Sequence, residues 1–293
     1  MPPVWTIRRL RQWHTEWLGK QGIETPQLDG DLLLAKALGV TRLQLFLDPE
    51  RPLTPQELSE FKQLLRRRAL REPVALILQQ RSFRHLEFKL RPGVLIPRPE
   101  TEHLVEAVLE RFPDHEAPLR ILDVGVGSGA ILLTLLTLYP QAVGTGIDIS
   151  EVALSCTQEN ATIFGIESNR VHLLQGNLFN NLPPPPETTP FHLIVANPPY
   201  IKRSEFNELA LEILNWEPRE ALFGGEDGLD IYTRLIPQAV DYLVTEGFCA
   251  VEIGHTQSPA VEELFQKAGL QKVQTLQDYN RHPRVVLGWR PPL

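Results

Sequence analysis

Strand-like and helix-like segments alternate along the chain from residue 120 onward, and no other sequence feature constrains the fold as much. Short apolar runs that contain many β-branched side chains predict strands, and longer segments with a 3.6-residue apolar period predict helices. Alternation of this kind is typical of a mostly parallel sheet with helices on both faces. We therefore predict an α/β domain with seven strands, near residues 120–125, 142–150, 171–176, 191–197, 247–254, 272–277 and 284–289.

The first 75 residues differ, because they show helical periodicity and almost no strand signal. The best-defined helix start is LTPQELSEFKQLLRRR, in which Thr54 is the N-cap, Pro55 takes the first helical position and Glu57 closes a capping box. The pattern predicts a small helical bundle, with helices near residues 4–19, 27–38, 41–47 and from 54 onward.

The segment RSFRHLEFKL (81–90) changes the period again, because Phe83 and Phe88 flank a short polar turn. This pattern predicts a β-hairpin between the two regions. We therefore divide the chain into a helical domain over residues 1–80, a hairpin linker over 81–92 and a main domain over 93–293.

Composition narrows the class of protein. A chain of 293 residues is long enough for two domains. No apolar stretch approaches the roughly 20 residues that span a bilayer, and the N-terminal segment lacks the apolar core of a secretory signal. The two cysteines, Cys156 and Cys249, lie far apart without metal-ligand spacing. We expect reduced cysteines in the core, no metal site, no membrane association and a cytoplasmic location.

The net charge of −7 is unevenly distributed along the chain. Residues 1–90 carry 15 basic and 10 acidic side chains, and the remainder carries 14 and 26. An acidic main domain is a poor partner for a phosphate backbone, so we predict no stable nucleic-acid binding. Arg66, Arg67 and Arg68, together with Arg71, form either a solvated helix face or a contact for an acidic partner.

The segment ILDVGVGSGAILL places Gly125, Gly127 and Gly129 between the first predicted strand and its helix. Glycine lets the backbone turn tightly and approach a ligand closely, at the sheet edge where open α/β folds bind ligands. Asp148 ends the second predicted strand, where a carboxylate can accept both hydroxyls of a ribose. This pattern suits a nicotinamide dinucleotide and S-adenosylmethionine alike. Asp123 would repel a pyrophosphate and face a sulfonium, which favours S-adenosylmethionine.

The fourth predicted strand ends in LIVANPPYIK, where Asn197, Pro198, Pro199 and Tyr200 follow a buried apolar run. The prolines donate no N–H, so the backbone presents only carbonyl oxygens there. The Asn197 side-chain oxygen and the Pro198 carbonyl can accept both N–H bonds of one planar –NH₂ group, and Tyr200 can stack on its face. Such acceptors orient a weakly nucleophilic nitrogen toward a methyl sulfonium, whereas hydride transfer has no use for them. The motif therefore predicts methyl transfer.

Over nearly its whole length the chain resembles the HemK/PrmC-type protein-(glutamine-N5) methyltransferases, which act on peptide-chain release factors. The resemblance implies a class I methyltransferase domain with a Rossmann-like, mostly parallel seven-stranded sheet, a small N-terminal helical bundle and a linking β-hairpin. The motifs that carry it are VLIPRPETE (94–102), ILDVGVGSGAI (121–131), VANPPYI (195–201), EPREALFGGEDGL (217–229), EIGHTQ (252–257) and RVVLG (284–288).

The resemblance also implies a reaction and its residues. A methyl group would pass from S-adenosylmethionine to the side-chain amide nitrogen (N5) of the glutamine in a GGQ motif, leaving S-adenosylhomocysteine. Asn197, Pro198 and Tyr200 would be the catalytic residues, and with Pro199 they would bind the glutamine amide. The residues expected to bind the cofactor are Gly125, Val126, Gly127, Ser128, Gly129, Asp148, Asn177, Leu178 and Asn197.

Some positions of the family pattern are less definite in this chain. Arg98 and Thr101 would lie near the cofactor and help to close the site. Asn177 stands where the family usually carries an aspartate, and Leu178 stands where an aromatic residue is expected. Asn177 can still accept a hydrogen bond from the adenine amino group through its side-chain oxygen, although without a charge.

Two alternatives stay open from the sequence. The motif NPPY also occurs in adenine-N6 nucleic-acid methyltransferases, which the acidic main domain and the lack of a target-recognition domain disfavour. A non-catalytic cofactor-binding partner of the translation machinery is the other alternative. Under the family interpretation, we expect release factors as protein substrates, docked by residues 1–80 through the basic cluster, and a monomeric enzyme.

Overall fold

The computed structural model describes residues 4–185 and 187–292. The chain forms two compact units. One unit contains the chain up to Gln79 together with Ala210–Trp216, and the other contains Gln80–Leu209 and the chain from Glu217 onward. The chain therefore leaves the second unit once, contributes a short segment to the first and returns.

The first unit is helical, which confirms the predicted N-terminal bundle. Thr54 caps the longest of its helices through the predicted capping box: its hydroxyl accepts from the Glu57 N–H at 3.2 Å, and its own N–H donates to Glu57 Oε2 at 2.8 Å. Buried apolar side chains such as Leu33 and Phe61 form the core. Labelled by chain order, the helices are α1 (Ile7–Lys20), α2 (Pro26–Leu38), α3 (Gln44–Leu47), α4 (Pro55–Ala69), α5 (Val74–Leu78) and α10 (Leu211–Trp216).

Most arginines of the basic cluster, Arg66 to Arg68 and Arg71, form ion pairs inside this unit. Arg68 is buried, and its guanidinium donates to Asp29 at 2.7 Å and to Glu212 of α10 at 3.0 Å. Arg71 also donates to Glu212, at 3.2 Å, and Arg67 is paired with an acidic side chain of the turn that follows α4. Three of the four arginines are therefore paired within the unit, whereas Arg66 is exposed, and the docking of an acidic partner by this cluster stays a prediction.

The second unit begins with the predicted hairpin, in which β1 (Gln80–Phe83) pairs antiparallel with β2 (Leu86–Lys89). A single 3₁₀ turn, Pro99–Thr101, then leads into α6 (Glu102–Arg111). The remaining elements are β3 (Arg120–Val124), α7 (Ala130–Leu138), β4 (Val143–Asp148), α8 (Glu151–Ile163), β5 (Val171–Gln175), β6 (Phe191–Ala196), α9 (Arg203–Phe206), a 3₁₀ turn (Arg219–Ala221), α11 (Tyr232–Tyr242), β7 (Leu243–Glu252), α12 (Ser258–Lys267), β8 (Gln271–Gln277) and β9 (Pro283–Trp289).

The seven strands β3 to β9 form one sheet in the order β5-β4-β3-β6-β7-β9-β8. The five strands β3 to β7 run parallel, and β9 and β8 complete the sheet in antiparallel pairing. This arrangement confirms the predicted mostly parallel seven-stranded fold. The strand order reverses beside β3, and in open α/β sheets a ligand crevice lies at such a point, outside the carboxyl ends of the strands.

Side chains of the central strands alternate between two apolar cores, one on each face of the sheet. Leu193 and Val195 pack in the core formed with α6 and α7, whereas Ile194 and Ala196 pack in the core formed with α11 and α12. Burial on both faces is the reason why these strands are continuous apolar runs in the sequence.

Cys156 and Cys249 are buried free cysteines, as predicted. None of the helices in the described ranges is long and apolar enough to cross a bilayer. Within those ranges, no group of three or more His, Cys, Asp or Glu side chains could hold a metal ion.

We predict that Arg68→Ala destabilises the helical unit by about 3 kcal/mol, because Asp29 would remain buried without its cation. Tryptophan fluorescence during urea unfolding measures this loss, since Trp5, Trp13, Trp17 and Trp216 all belong to this unit.

The matched control is Arg66→Ala, a change on the same helix at an exposed arginine. We expect it to change the free energy of unfolding by no more than about 0.5 kcal/mol. Equal losses in the two variants would contradict a structural role for the buried ion pairs.

Candidate active site

The glycine loop bends sharply between β3 and α7. Gly125, Gly127 and Gly129 have φ angles of +83°, +57° and +85°, a region in which side chains with a Cβ are strained. A Cβ on Gly129 would lie 2.7 Å from the Leu133 side chain, whereas one on Gly125 or Gly127 would meet no atom closer than 4.0 Å. The first two glycines therefore leave open space where a ligand can approach the backbone.

Asp148 lies at the end of β4 and is oriented by the glycine loop. Its Oδ2 accepts from the Gly127 N–H at 2.9 Å, and its Oδ1 accepts from the Ser150 N–H at 2.9 Å. Burial raises the pKa of this carboxyl, and the backbone N–H bonds counteract the rise. Each oxygen keeps a lone pair for a further donor, so the carboxylate can still accept hydroxyl groups.

Asp123 does not take the position expected from the sequence. It is buried beneath the loop, where its Oδ2 accepts from the Leu132 N–H at 3.2 Å, and it does not line the cavity described below. Burial, with a smaller contribution from the charge of Asp148, raises the pKa of Asp123 to about 7. Its contact is therefore with the start of α7, and it is not available to face a sulfonium.

A cavity of about 500 Å³ lies outside the carboxyl ends of the central strands. Eight of the predicted site residues contribute to its wall, and they come from four separate strand ends: Gly125, Gly127, Asp148, Asn177, Leu178, Asn197, Pro198 and Pro199.

Four other predicted site residues are not part of this wall. Val126 and Ser128 are buried, and Gly129 is the N-cap residue of α7. The ring of Tyr200 packs against the core on the α11 face, and its hydroxyl donates to Glu252 Oε1 at 3.3 Å. Their roles toward a ligand stay predictions.

Asn197 follows β6 directly, and its side-chain orientation is set by a neighbour. Its Nδ2 donates to Thr101 Oγ1 at 3.1 Å, so the amide oxygen is the atom left to accept from a ligand. Thr101 itself is buried. Pro198 and Pro199 follow on the cavity wall without any backbone N–H.

The other predicted closing residue, Arg98, pairs with a buried acid. Its guanidinium donates to Glu217 Oε1 at 2.6 Å, and the other oxygen of Glu217 accepts from the Ile96 N–H at 3.1 Å. Glu217 thus joins the segment before α6 to the segment that continues the cavity wall at Pro218 and Glu220. Both segments belong to motifs that were singled out in the sequence, but the sequence does not indicate that the two segments are in contact.

The structure adds cavity residues that the sequence did not indicate. Arg234 of α11 lies on the wall, and its guanidinium donates to Asn177 Oδ1 at 3.2 Å. The sequence does not indicate that Arg234 contacts Asn177, because this contact depends on how α11 packs on the sheet. Wall residues that were not among the predicted site residues include Gly93, Val94, Leu95, Pro218, Glu220, Ala221, Ile231, Arg234 and Leu235.

Two family models match this chain. The model described as the PrmC N-terminal domain matches residues 9–78, and the model described as the methyltransferase small domain matches residues 100–226.

Several relatives match over almost their whole length. The release factor glutamine methyltransferase of Caulobacter vibrioides is 42% identical over 290 residues, which cover 98% of each chain. That of Geobacter sulfurreducens is 40% identical over 287 residues, again 98% of each chain. That of Vibrio cholerae is 37% identical and covers 97% of this chain and 96% of the relative.

Solved structures of lower identity share the fold. A methyltransferase from Pyrococcus furiosus has a TM-score of 0.52 at 16% identity, covering 70% of this chain and 89% of that one. A 16S rRNA methyltransferase from Thermus thermophilus, solved with AdoMet and guanosine, has a TM-score of 0.52 at 19% identity, covering 72% of this chain and 49% of that one. These likenesses confirm the predicted methyltransferase fold.

The raised pKa of Asp123 predicts a specific pH dependence of stability. The unfolded carboxyl ionises near its usual pKa, whereas the buried one keeps its proton up to about pH 7, so this group makes stability fall as the pH rises from about 4 to 7. Asp123→Asn cannot ionise. Between about pH 5 and pH 8, its free energy of unfolding relative to the unsubstituted protein should therefore rise by about 2 kcal/mol.

Urea unfolding at the two pH values measures this difference, and Asp241→Asn, at an exposed position, is the matched control. A difference for Asp123→Asn that stays the same at both pH values would contradict the buried, protonated carboxyl.

Proposed function

This chain belongs to the family of release factor glutamine methyltransferases, and on that premise we propose that it methylates a release factor. The methyl group passes from S-adenosylmethionine to the side-chain amide nitrogen (N5) of the glutamine in the GGQ motif, and S-adenosylhomocysteine remains. One observation carries the proposal: Asn197 and Pro198 lie on the wall of the same cavity as the glycine loop and Asp148. Acceptors for an amide and a place for a methyl donor thus lie together.

The residues present fit S-adenosylmethionine. The open space above Gly125 and Gly127 admits a ligand against the backbone, and Asp148 is held with lone pairs free for two ribose hydroxyls. Apolar side chains of the wall, including Ile149 and Leu178, suit the flat face of an adenine ring. These features support our assignment of the cofactor to this cavity.

We propose that Asn177 recognises the adenine edge in a different way from an aspartate. Its Oδ1 already accepts from Arg234, so one lone pair of that oxygen stays available to the adenine amino group. Arg234 places a positive charge beside Asn177, the position at which the family pattern has a negatively charged aspartate. Leu178 contributes apolar contact in place of an aromatic ring.

The chain's own residues then have to orient one amide nitrogen. The cofactor supplies an electrophilic methyl group on a sulfonium. The Asn197 side-chain oxygen and the Pro198 carbonyl accept the two N–H bonds of the glutamine amide, which holds its nitrogen in line with that methyl group. Both acceptors also favour the positive charge that develops on nitrogen during transfer. The amide nitrogen sheds its extra proton readily afterwards, so no strong general base is required.

The GGQ glutamine is a small target, so much of the specificity must come from remote contacts with the release factor. We propose that the helical unit provides such contacts, although not through its paired arginines. A release factor substrate is consistent with a cytoplasmic enzyme, and we propose that location.

The decisive experiment incubates the protein with S-adenosylmethionine carrying a labelled methyl group and a release factor. We expect label on the release factor and none on the same factor with its GGQ glutamine changed to alanine. Equal labelling of the two factors would contradict the proposal, and transfer to DNA or RNA in the same assay would favour an adenine-N6 methyltransferase instead.

Two variants separate cofactor binding from methyl transfer. Asp148→Ala should weaken the binding of S-adenosylhomocysteine by about 10-fold or more, because ribose hydroxyls lose a charged acceptor. Asn197→Ala should lower kcat by about 100-fold and change that binding much less, because it removes an acceptor that acts on the glutamine. Calorimetric titration and steady-state kinetics measure the two effects.

The matched controls are Asp241→Ala and Asn207→Ala, which change exposed residues of the same types. Unchanged methylation in the Asn197→Ala variant would contradict the role of Asn197 and favour a non-catalytic binding protein.

A further inference from the structure

The segment EIGHTQ (252–257) begins at the end of β7, the strand that pairs with β6. It contributes nothing to the cavity wall. Two of its side chains nevertheless contact the residue that ends the NPPY motif: Glu252 bonds to the Tyr200 side chain, and Gln257 bonds to the Tyr200 backbone.

Glu252 is fully buried and only partly satisfied. Its Oε1 accepts from the Tyr200 hydroxyl, while its Oε2 has no hydrogen-bond partner among the described residues. Its backbone carbonyl accepts from the Tyr232 hydroxyl at 2.7 Å, which fixes the position of the residue. Burying a carboxyl with one oxygen unpartnered costs free energy, which raises the question of what Glu252 does beneath the site.

The surroundings of Glu252 connect it to a second residue of the site. Burial raises the pKa of this carboxyl to about 7, while Arg284 and the Thr101 hydroxyl lie near enough to counteract the rise. Thr101 is also the residue that accepts from the Asn197 amide. Glu252 therefore contacts Tyr200, at one end of the NPPY motif, and lies near Thr101, the partner of Asn197 at the other end.

Gln257 has every polar atom of its side chain engaged. Its Nε2 donates to the carbonyls of Tyr200, at 2.9 Å, and Gly228, at 3.2 Å, and its Oε1 accepts from the Gly254 N–H at 2.9 Å. A side-chain amide with this set of partners has one possible orientation. It fixes the Tyr200 carbonyl at a point two residues after Pro198.

Two glycines of the 222–228 loop pack closely against the backbone of the motif. A Cβ on Gly224 would lie 2.7 Å from the Pro199 carbonyl oxygen, and one on Gly228 would lie 2.3 Å from the Tyr200 carbonyl oxygen. The backbone of Ile201 adds two hydrogen bonds to this loop, to Leu222 and Gly224, both at 2.9 Å. The motif thus contacts both this loop and the EIGHTQ segment, which also contact each other through Gly228 and Gln257.

We propose that Glu252 and Gln257 are positioning residues for methyl transfer: they hold the hydroxyl and the carbonyl of Tyr200, and thereby aim the Pro198 carbonyl and the Asn197 amide oxygen at the substrate nitrogen. The proposal rests on the proposed function, because it concerns that substrate. It adds a second role for Tyr200, which was expected to stack on the substrate amide: its hydroxyl anchors the motif on Glu252. The prolines transmit the anchoring, since their ring-fixed φ angles leave little freedom between Tyr200 and Asn197.

The first test is a double-mutant cycle. Glu252→Ala and Tyr200→Phe should each lower kcat by about 10- to 100-fold, because small displacements of orienting groups have effects of that size. The double variant should be no slower than the slower single variant, since both changes break one contact. Glu252→Gln should regain most of the rate, because its amide oxygen still accepts from the Tyr200 hydroxyl. If the kcat losses of the two single variants multiply in the double variant, the proposal for Glu252 is overturned.

The second test needs no substrate and uses Gln257→Leu, in which the new side chain is similar in size to glutamine but makes no hydrogen bonds. Hydrogen exchange of the backbone amides of Ile201 and Gly224, which are hydrogen-bonded in this loop, should accelerate by about 10-fold or more in this variant, while the amides of β3 keep their rates. Binding of S-adenosylhomocysteine should change less than about 2-fold, which shows that the cavity is intact. Unchanged exchange at Ile201 and Gly224 would overturn the proposal for Gln257.

The two proposals fail in different ways. If the unsubstituted protein does not label the release factor, the proposed function is wrong, while the exchange measurement still decides whether Gln257 holds the motif. If the unsubstituted protein labels the release factor and all the variants match it in kcat, the positioning proposal alone is wrong.

Discussion

The site depends on the parallel register of three neighbouring strands. Val124, the last residue of β3, pairs with Ile147 of β4 on one side and with Ala196 of β6 on the other. The strands therefore end at one level, and the residues that come next along the chain meet at one edge of the sheet. A shift of one residue in either pairing would turn every side chain of the shifted strand to the opposite face. Such a shift would exchange side chains of different size and shape between two close-packed cores, so packing in these cores holds the register and with it the site geometry.

The cavity wall combines a backbone that is free to bend with one that is held rigid. At the end of β3, glycines adopt left-handed conformations and expose the backbone to a ligand. At the end of β6, Pro198 and Pro199 remove backbone donors and stiffen the chain, and neighbouring segments hold the result in place through Thr101 and Gln257. The glycine loop suits a cofactor that needs close approach to the backbone. The segment after β6 suits an amide that needs acceptors in fixed directions.

Buried charge has different consequences in the two units. In the helical unit, Arg68 is paired with two carboxylates, which neutralises a charge that the sequence presents as part of a basic cluster. Beneath the site, Asp123 and Glu252 are carboxyls whose pKa values rise to about 7, because burial disfavours the charged form. Loss of one partner from a buried ion pair leaves an uncompensated charge, whereas a buried carboxyl with a raised pKa keeps its proton and stays neutral below about pH 7.

The sequence by itself determined the fold class, the helical and hairpin segments and the motif residues Gly125, Asp148 and Asn197, because apolar period, capping residues, glycine and proline act on the chain locally. It could not show that Arg68 reaches Glu212, that Asp123 is turned beneath the loop, or that Arg234 reaches Asn177. It also could not assign Tyr200 to an anchor on Glu252. Apart from the bond between Asp123 and Leu132, each of these contacts joins residues more than 50 positions apart in the chain. Only the packing of helices and loops on the sheet brings such residues together, and no local property of either partner records it.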